Sequence, residues 1–311
     1  MRVFLFFLYV LVLTGAKAPN SRRFFPCPSS VQRQVQDITA AAFMSLIPFT
    51  ASAIVSAAST SSSSPSSLFY LENPYLKPDD ILPYIDRNSK DGDVSSVIEA
   101  MNTFTKYYPM YALSTLKAKV LEDTIKEKKP AKILEIGTFF GFSALHICRS
   151  MPSQSKLICI EGNENNARIA NTIITKAFKG KGDILDRVKV VVGLSNVVLD
   201  SNDFKKTVGK EKFDLVFLDH DKDCYLPDLQ RLESKNLLNQ EKCTLVADNV
   251  VFPGAPDYLR YVNADENKGW TTTLKRMPFE RKGYETKFKE VEDAMSISIR
   301  TSDFIKSNVI Q

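Results

Sequence analysis

Polar side chains directly follow two short apolar segments of the chain. Residues 214–218 are followed by Asp219, and residues 244–247 are followed by Asp248 and Asn249. Short apolar segments of this kind are typical of buried parallel strands, and ligands of an open α/β sheet bind at the carboxyl ends of its strands. If the two strands are neighbours, three side-chain oxygens converge at one point. Two Asp and one Asn, without Cys or His, form the ligand set of a hard six-coordinate cation such as Mg²⁺.

A second group of residues indicates a nucleoside-binding edge in the same sheet. One predicted strand ends in the pattern Glu135-x-Gly137-x-x-x-Gly141, in which glycine lets the backbone approach a ligand where a Cβ would clash. The pattern is not GxGxxG, which argues against a dinucleotide pyrophosphate site. Residues 157–161 predict the next strand, and Glu161 at its end can accept hydrogen bonds from both hydroxyls of a ribose. The alternative is a solvated glutamate at a strand end.

The elements that must position these residues follow from hydrophobic periodicity. The predicted elements are helices in residues 78–110, 116–125, 141–150, 163–178 and 226–237, a third parallel strand in residues 188–193, and an antiparallel edge pair in residues 271–275 and 295–299. Ser195 and Asn196 follow the third parallel strand, and we expect their polar groups to meet the edge of an adenine. Residues 252–256 contain two prolines and are expected to form a rigid lip beside the cation.

The first 66 residues differ in composition from the rest of the chain. The whole chain of 311 residues has a formal charge of +5, but residues 1–66 contain five basic residues and one acidic residue. The other 245 residues therefore carry 36 basic and 35 acidic side chains, a balance that does not indicate nucleic-acid binding. The five cysteines show no CxxC spacing and give no sign of a zinc site. We divide the chain into a leader, residues 1–66, and a catalytic domain, residues 67–311.

The leader has the features of a targeting sequence. Arg2 precedes the apolar residues 3–13 and a group of small residues, which is typical of a secretory signal peptide. An uncharged segment rich in Ala and Ser follows in residues 38–58. Together these features resemble the layered presequence of an alga with a secondary plastid. The alternative is a secreted or membrane-tethered protein with a Ser-rich linker in residues 59–67.

Five ordered motifs between residues 78 and 299 resemble the catechol O-methyltransferase family. The motifs are LEIGTFFGFSA, LICIEGN, VVGLSN, FLDHDKDCYLPD and LVADNVVFPGAPDYLRYV. The resemblance implies a doubly wound, Rossmann-like, seven-stranded α/β fold that uses S-adenosylmethionine and Mg²⁺. It implies Asp219, Asp248 and Asn249 as metal ligands and Lys222 as the catalytic lysine. The implied cofactor contacts are Glu135, Gly137, Ser143, Glu161, Ser195, Asn196, Asp219 and His220, and the implied acceptor contacts are Lys222, Asn249, Pro253 and Glu280.

The chain departs from the family pattern in places that bear on the acceptor. Asp221 stands where the family has a tryptophan that packs on adenine, and the family's gate tryptophan aligns near Met110 or Tyr111. The glutamate that holds the second catechol hydroxyl has two candidates, Glu280 first and Glu285 second. The reaction class is therefore better supported than the acceptor.

The predicted reaction is methyl transfer from S-adenosylmethionine to a hydroxyl of a catechol-like vicinal diol. A bound divalent cation lowers the pKa of a coordinated hydroxyl, and Lys222 can then take its proton. The alternative for Lys222 is an ion pair with Asp221 or Asp223. The alternative functions are a relative that binds the cofactor without catalysis and a caffeoyl-CoA-type O-methyltransferase. We expect a monomer, no nucleic-acid partner, and a membrane tether only if the leader is retained.

Overall fold

The computed structural model describes residues 80–106, 112–264, 269–280 and 290–301. Within these ranges the helices are α1 (Ile81–Asn88), α2 (Val94–Phe104), α3 (Thr115–Lys128), α4 (Phe142–Ser150), α5 (Glu164–Ala177), α6 (Gly182–Leu185), α7 (Ser195–Asp200), α8 (Asn202–Val208), α9 (Tyr225–Ser234) and α10 (Pro256–Asn263). The strands are β1 (Lys132–Ile136), β2 (Lys156–Glu161), β3 (Val188–Val192), β4 (Leu215–Leu218), β5 (Thr244–Ala247), β6 (Trp270–Pro278) and β7 (Glu292–Arg300).

Several predictions fall outside the described residues. These are the leader in residues 1–66, the gate positions Met110 and Tyr111, and the second glutamate candidate, Glu285. They stay predictions. Among the helices of the described ranges, none combines the length and the apolar character that a membrane crossing requires.

The seven strands form one mixed sheet in the order β3-β2-β1-β4-β5-β7-β6. The five strands from β3 to β5 pair in parallel, whereas β7 is antiparallel to both β5 and β6. This confirms the predicted doubly wound α/β sheet. Because the chain runs outward in opposite directions from β1 and β4, the topological switch point lies at the carboxyl ends of these two strands, where such sheets bind ligands.

The antiparallel pair lies at the edge of the sheet, as the sequence predicts. Strand β6 is the edge, whereas β7 lies between β5 and β6. Buried and exposed residues accordingly alternate less along β7, and most of its residues are buried. The side chains of the successive residues Ala294 and Met295 point to opposite faces of the sheet and both are fully buried, so both faces of β7 are covered, which the short sequence MSISI did not reveal.

Helices cover both faces of the sheet and divide the core in two. Strands β1, β4 and β5 are buried along their whole length, as expected for parallel strands covered on both sides. Ile133 packs in one cluster with residues of α1 to α5, and its neighbour Leu134 packs in a second cluster with residues of α7 to α10. The central strands are therefore held rigidly, and so are the loops that leave their carboxyl ends.

Candidate active site

Asp219 and Asp248 lie at the ends of two adjacent parallel strands. Leu218 of β4 pairs with Ala247 of β5, and the backbone N–H of Asp248 donates to the carbonyl of Leu218 at 2.9 Å. Asn249 follows in a left-handed conformation with φ of 55°, and its backbone N–H donates to Asp248 Oδ1 at 2.7 Å. The structure therefore brings together the three oxygen-bearing side chains that the sequence predicts as metal ligands.

The charges at this corner favour a bound cation. Burial raises the pKa of the Asp219 carboxyl to about 7; the Lys222 ammonium opposes this rise, and the nearby Asp248 carboxylate adds to it. Asp219 Oδ1 accepts from Lys222, Asp248 Oδ1 accepts from the Asn249 backbone, and the Asn249 amide nitrogen donates to Asp293. The second carboxylate oxygens of Asp219 and Asp248 and the single amide oxygen of Asn249 lie outside these contacts. Two carboxylates and an amide oxygen are a donor set that fits Mg²⁺.

Within the described ranges, no three His, Cys, Asp or Glu side chains are arranged to hold a metal ion. The corner between β4 and β5 is consistent with that result because its third ligand is an amide. An all-oxygen set with one neutral ligand suits a hard cation and not a transition metal held by histidine or thiolate.

Lys222 opens the 3₁₀ turn Lys222–Cys224, which lies in the loop that follows β4. Its Nζ lies 3.1 Å from Asp219 Oδ1 and 2.6 Å from the Tyr225 hydroxyl. Its ion pair is thus with the candidate metal ligand, not with the alternatives Asp221 or Asp223. The Asp221 side chain instead accepts the backbone N–H of Asp223 at 3.2 Å and caps the turn, which gives a structural role to the residue that replaces the family's tryptophan.

The Glu161 carboxylate joins the loops that follow β1 and β2. Oε2 accepts the backbone N–H of Phe139 at 2.8 Å, and Oε1 accepts that of Asn163 at 2.9 Å. The side chain is buried at the carboxyl end of β2. Within the part of the chain that the structure describes, Oε2 accepts this one hydrogen bond, and a carboxylate oxygen can accept two. Glu161 is thus oriented at the sheet edge with capacity for a ligand hydroxyl.

Glu135 has a different environment from Glu161. It is fully buried in β1, where the hydroxyls of Thr138, at 2.5 Å, and Ser143 donate to its two oxygens. Burial raises the pKa of the Glu135 carboxyl, and the two hydroxyls oppose that rise. Two predicted cofactor residues, Glu135 and Ser143, therefore contact each other and hold the β1 loop against the start of α4.

Gly137 is required by contact between two backbone segments. Its φ is 93°, and a Cβ on it would lie 2.6 Å from the carbonyl oxygen of Asp219 and 2.8 Å from the nitrogen of His220. The sequence predicted that glycine here makes room for a ligand. The clash that the structure shows is with the loop after β4, so the glycine lets the loop after β1 contact the loop after β4.

His220 and the predicted adenine contacts lie on two sides of the switch point. His220 Nε2 is 2.9 Å from Asp228 Oδ2, and the fully buried Asp228 also accepts from Arg231 at 3.0 Å. This network fixes the orientation of the imidazole ring. Ser195 and Asn196 begin α7 after β3, where both are half-buried.

The predicted acceptor residues Pro253 and Glu280 are both exposed. They directly follow Phe252 and Phe279, whose rings meet edge to face with centroids 4.9 Å apart. The Lys117 ammonium lies 6.0 Å from the centre of the Phe279 ring. The two loops that carry the predicted acceptor residues therefore meet beside the candidate metal corner, the group formed by Asp219, Asp248 and Asn249.

Three residues of this corner received no role from the sequence. Lys117 and Asp293 are buried and form an ion pair, and Tyr225 holds Lys222. Tyr225 lay inside a motif that was recognised. Lys117 and Asp293 had no signal, because a lysine in a first helical turn and an aspartate before an apolar segment are usually exposed.

Comparison with known proteins agrees with this geometry. A family described as O-methyltransferase matches residues 89–278. The chain belongs to this O-methyltransferase family. A catechol O-methyltransferase B from Danio rerio is 39% identical over 188 residues, which cover 60% of this chain and 68% of that protein. A catechol O-methyltransferase from Mus musculus is 34% identical over 189 residues, with the same two coverages of 60% and 68%.

Solved structures support the same fold for this O-methyltransferase. An O-methyltransferase from Bacillus cereus in complex with SAH has a TM-score of 0.52 and 20% identity, covering 76% of this chain and 97% of that one. The O-methyltransferase TomG from Streptomyces achromogenes in complex with SAM also has a TM-score of 0.52 at 20% identity, covering 76% and 96%. Likeness at this identity shows the fold alone. Family membership confirms the predicted reaction class, S-adenosylmethionine-dependent O-methylation, and the alternative of a non-catalytic relative gains no support.

Proposed function

We propose that this O-methyltransferase methylates one hydroxyl of a catechol-like vicinal diol that is bound to Mg²⁺. The observation that carries the proposal is the convergence of Asp219, Asp248 and Asn249 at the ends of β4 and β5, with the Lys222 ammonium 3.1 Å from Asp219. A methyltransferase that used a monohydroxylated acceptor without metal would have no need for the buried carboxylate of Asp248, the half-buried carboxylate of Asp219 and an amide beside its basic residue.

Different residues of the chain serve the acceptor and the methyl donor, and those at the acceptor are Lys222, Tyr225 and the candidate metal ligands. A bound Mg²⁺ would lower the pKa of the acceptor hydroxyl and hold both vicinal oxygens. After its ammonium has released a proton to solvent, Lys222 is placed to take the proton of that hydroxyl as the neutral amine, acting as general base. Tyr225 holds the Lys222 ammonium on the side of Asp219, since its hydroxyl lies 2.6 Å from Nζ.

The donor side of the proposal depends on the loops after β1, β2 and β3. Glu161 would accept the ribose hydroxyls of S-adenosylmethionine, and Ser195 and Asn196 would meet the adenine. Transfer of a methyl group from sulfur to oxygen is an in-line displacement, so much of its acceleration comes from alignment of the two substrates. The buried hydrogen bonds of Glu135 and Glu161 keep the donor loops fixed for this alignment.

The acceptor side supports an aromatic diol. Phe252 and Phe279 form an edge-to-face pair beside the metal corner, and an apolar wall of this kind favours a flat ring over a sugar diol. Glu280 follows Phe279 and is exposed, so its carboxylate is the described candidate for the second hydroxyl.

The decisive experiment is a methyl-transfer assay on the purified protein. Catechols, caffeoyl thioesters, aliphatic vicinal diols and monophenols are offered with S-adenosylmethionine, with Mg²⁺ and then with excess chelator. We expect methylation of catechols that stops on chelation and is absent with monophenols. Full activity in excess chelator would exclude the metal role. A preference for caffeoyl thioesters over free catechols would replace the acceptor with that of the caffeoyl-CoA type.

The metal role is tested separately by substitution. Asp219→Ala and Asp248→Ala each remove one carboxylate ligand, and we expect both to abolish transfer. Asp257→Ala is the control, because Asp257 is exposed and pairs with Arg260 on α10. Loss of activity in the control alone, or parent activity in either ligand variant, would contradict the assignment.

A further inference from the structure

Lys117 is a buried lysine that reaches the candidate metal corner from α3. Ser114 caps this helix by accepting the backbone N–H of Lys117 at 3.3 Å, so Lys117 lies in the first turn. Its Nζ is 2.6 Å from Asp248 Oδ1 and 2.6 Å from Asp293 Oδ2. The exposed fractions of the three side chains are 5%, 4% and 0%. Charges this deeply buried persist only when they are paired.

Asp293 accepts several hydrogen bonds from the loop that follows β5. Its Oδ1 accepts the backbone N–H groups of Val251 at 3.3 Å and Phe252 at 2.9 Å. Its Oδ2 accepts the side-chain amide of Asn249 at 2.8 Å, in addition to the Lys117 ammonium. The carboxylate therefore connects β7 and α3 to the loop that carries one of the candidate metal ligands.

These contacts determine which atoms face the cation. An amide has a donor end and an acceptor end, so donation by the Asn249 nitrogen to Asp293 turns the Asn249 oxygen away from Asp293. Asp248 Oδ1 is held by the Lys117 ammonium at 2.6 Å and by the Asn249 backbone at 2.7 Å. Its Oδ2 is left for a metal. Both orientations depend on the Lys117–Asp293 pair.

We propose that Lys117 and Asp293 are positioning residues of the metal site, which select one oxygen of Asp248 and the oxygen of Asn249 for the cation. The inference rests on the proposed function, because it assumes that a cation binds at this corner. A purely structural role, in which the pair only joins α3 to β7, predicts a loss of stability without a specific loss of metal affinity.

The test measures Mn²⁺ affinity of the full chain by electron paramagnetic resonance of free Mn²⁺. The free energy of unfolding in chelator is measured alongside. Asp293→Asn places an amide opposite the Asn249 amide, so that one of the two must turn. We expect Mn²⁺ affinity to fall about 10- to 100-fold, the usual effect of losing a residue that orients a metal ligand.

A matched control separates metal positioning from burial. Asp214 is also buried, and it accepts a backbone N–H from Ala131 at 2.8 Å and the side-chain amide of Asn239 at 2.8 Å. It precedes β4 and so lies at the opposite end of the sheet from the metal corner. Asp214→Asn should lower stability but leave Mn²⁺ affinity at the parent value. An equal loss of affinity in both variants would overturn the proposal.

A double-substitution cycle separates positioning from simple charge. Asn249→Asp adds a negative charge at the metal in either background. In the parent, the new carboxylate at position 249 faces the Asp293 carboxylate. In the Asp293→Asn background, it can accept a hydrogen bond from the new amide and still present an oxygen to the metal. Positioning therefore predicts that Asn249→Asp raises affinity at least about tenfold more in the Asp293→Asn background than in the parent. Equal effects in the two backgrounds indicate charge alone and overturn the proposal.

Lys117→Met tests the same proposal if the Asp293→Asn variant does not fold. Removing a positive charge near a cation site raises cation affinity by Coulomb's law, whereas loss of positioning lowers it. Lower affinity in the folded variant supports the proposal, and unchanged or higher affinity overturns it. If the parent itself binds no Mn²⁺, both this inference and the metal part of the proposed function fail. If the parent binds Mn²⁺ and the variants behave as the parent, only this inference fails.

Discussion

The phenolic oxygen of Tyr225 lies 2.6 Å from the ammonium nitrogen of Lys222. The same oxygen is 2.8 Å from the carbonyl of Leu218 and 3.0 Å from that of Asp248. Tyr225 therefore connects the ends of β4 and β5 to the lysine side chain. Because the ring is fully buried, the position of the Lys222 ammonium is set by the core of the protein.

We expect Tyr225→Phe to lower kcat about 10-fold while KM for the acceptor and Mn²⁺ affinity change little. A hydrogen bond to a charged group contributes about 1.5–3 kcal/mol, and its loss would leave the lysine less well placed. Tyr261→Phe is the matched control, since Tyr261 also bonds a charged group, Glu233, at 2.5 Å. A similar fall in kcat for both variants would show a general effect on stability.

Lys222→Met keeps the length of the side chain and removes its proton acceptor. We expect the rate of transfer at neutral pH to fall by roughly 10²–10⁴, the usual contribution of general-base catalysis, with little change in cofactor affinity. The rate should recover as pH rises, because solvent base can then remove the acceptor proton. A loss of the same size at every pH would show that Lys222 is structural.

Glu161→Gln should weaken S-adenosylmethionine binding by about 1–3 kcal/mol, the range for a charge-assisted hydrogen bond. Glutamine keeps one acceptor for the backbone N–H groups of Phe139 and Asn163, which Glu161 now holds. Mn²⁺ affinity serves as the control and should stay at the parent value. Calorimetric titration measures both constants, and an unchanged cofactor affinity would refute the ribose role.

His146 gives the fold a predictable dependence on pH. Its Nδ1 is 2.6 Å from Glu122 Oε1, and its Nε2 is buried without a hydrogen-bond partner among the described residues. Burial lowers the pKa of His146 despite the nearby carboxylate. The unfolded chain therefore binds a proton at this residue below about pH 6.5 that the folded chain binds less readily.

It follows that the free energy of unfolding should fall as pH decreases from 7 to 5. His146→Gln removes the titrating group and should make this decrease smaller. Urea titrations of the parent and the variant at several pH values would measure the difference. Equal pH dependence in the two proteins would show that another group is responsible.

The sequence was sufficient for the fold and for the convergence of Asp219, Asp248 and Asn249, because the ends of the strands follow from local patterns. Apolar segments ending in polar residues located β1, β2, β4 and β5, and parallel pairing then brought Asp219 to Asp248. The ends of helices were less accurate: the helix predicted in residues 226–237 is Tyr225–Ser234, because the last turn of a helix depends on tertiary contacts.

What the sequence could not provide were contacts between distant residues of unremarkable type. Lys117 and Asp293 are 176 positions apart, and neither lies in a motif. The network of Glu122, His146 and Arg149 is of the same kind, because it joins α3 to α4 through side chains that elsewhere would be exposed. Buried charge pairs become visible only when the surrounding helices and strands are in place.

The contact between Gly137 and Asp219 has a mechanical consequence. A Cβ at Gly137 would lie 2.6 Å from the Asp219 carbonyl oxygen, so no side chain separates the loop after β1 from the loop after β4. The two loops are in direct contact through backbone atoms. In the proposed function, in which the first loop serves the methyl donor and the second serves the cation, a displacement of either loop would be transmitted directly to the other and would change the distance between donor and acceptor.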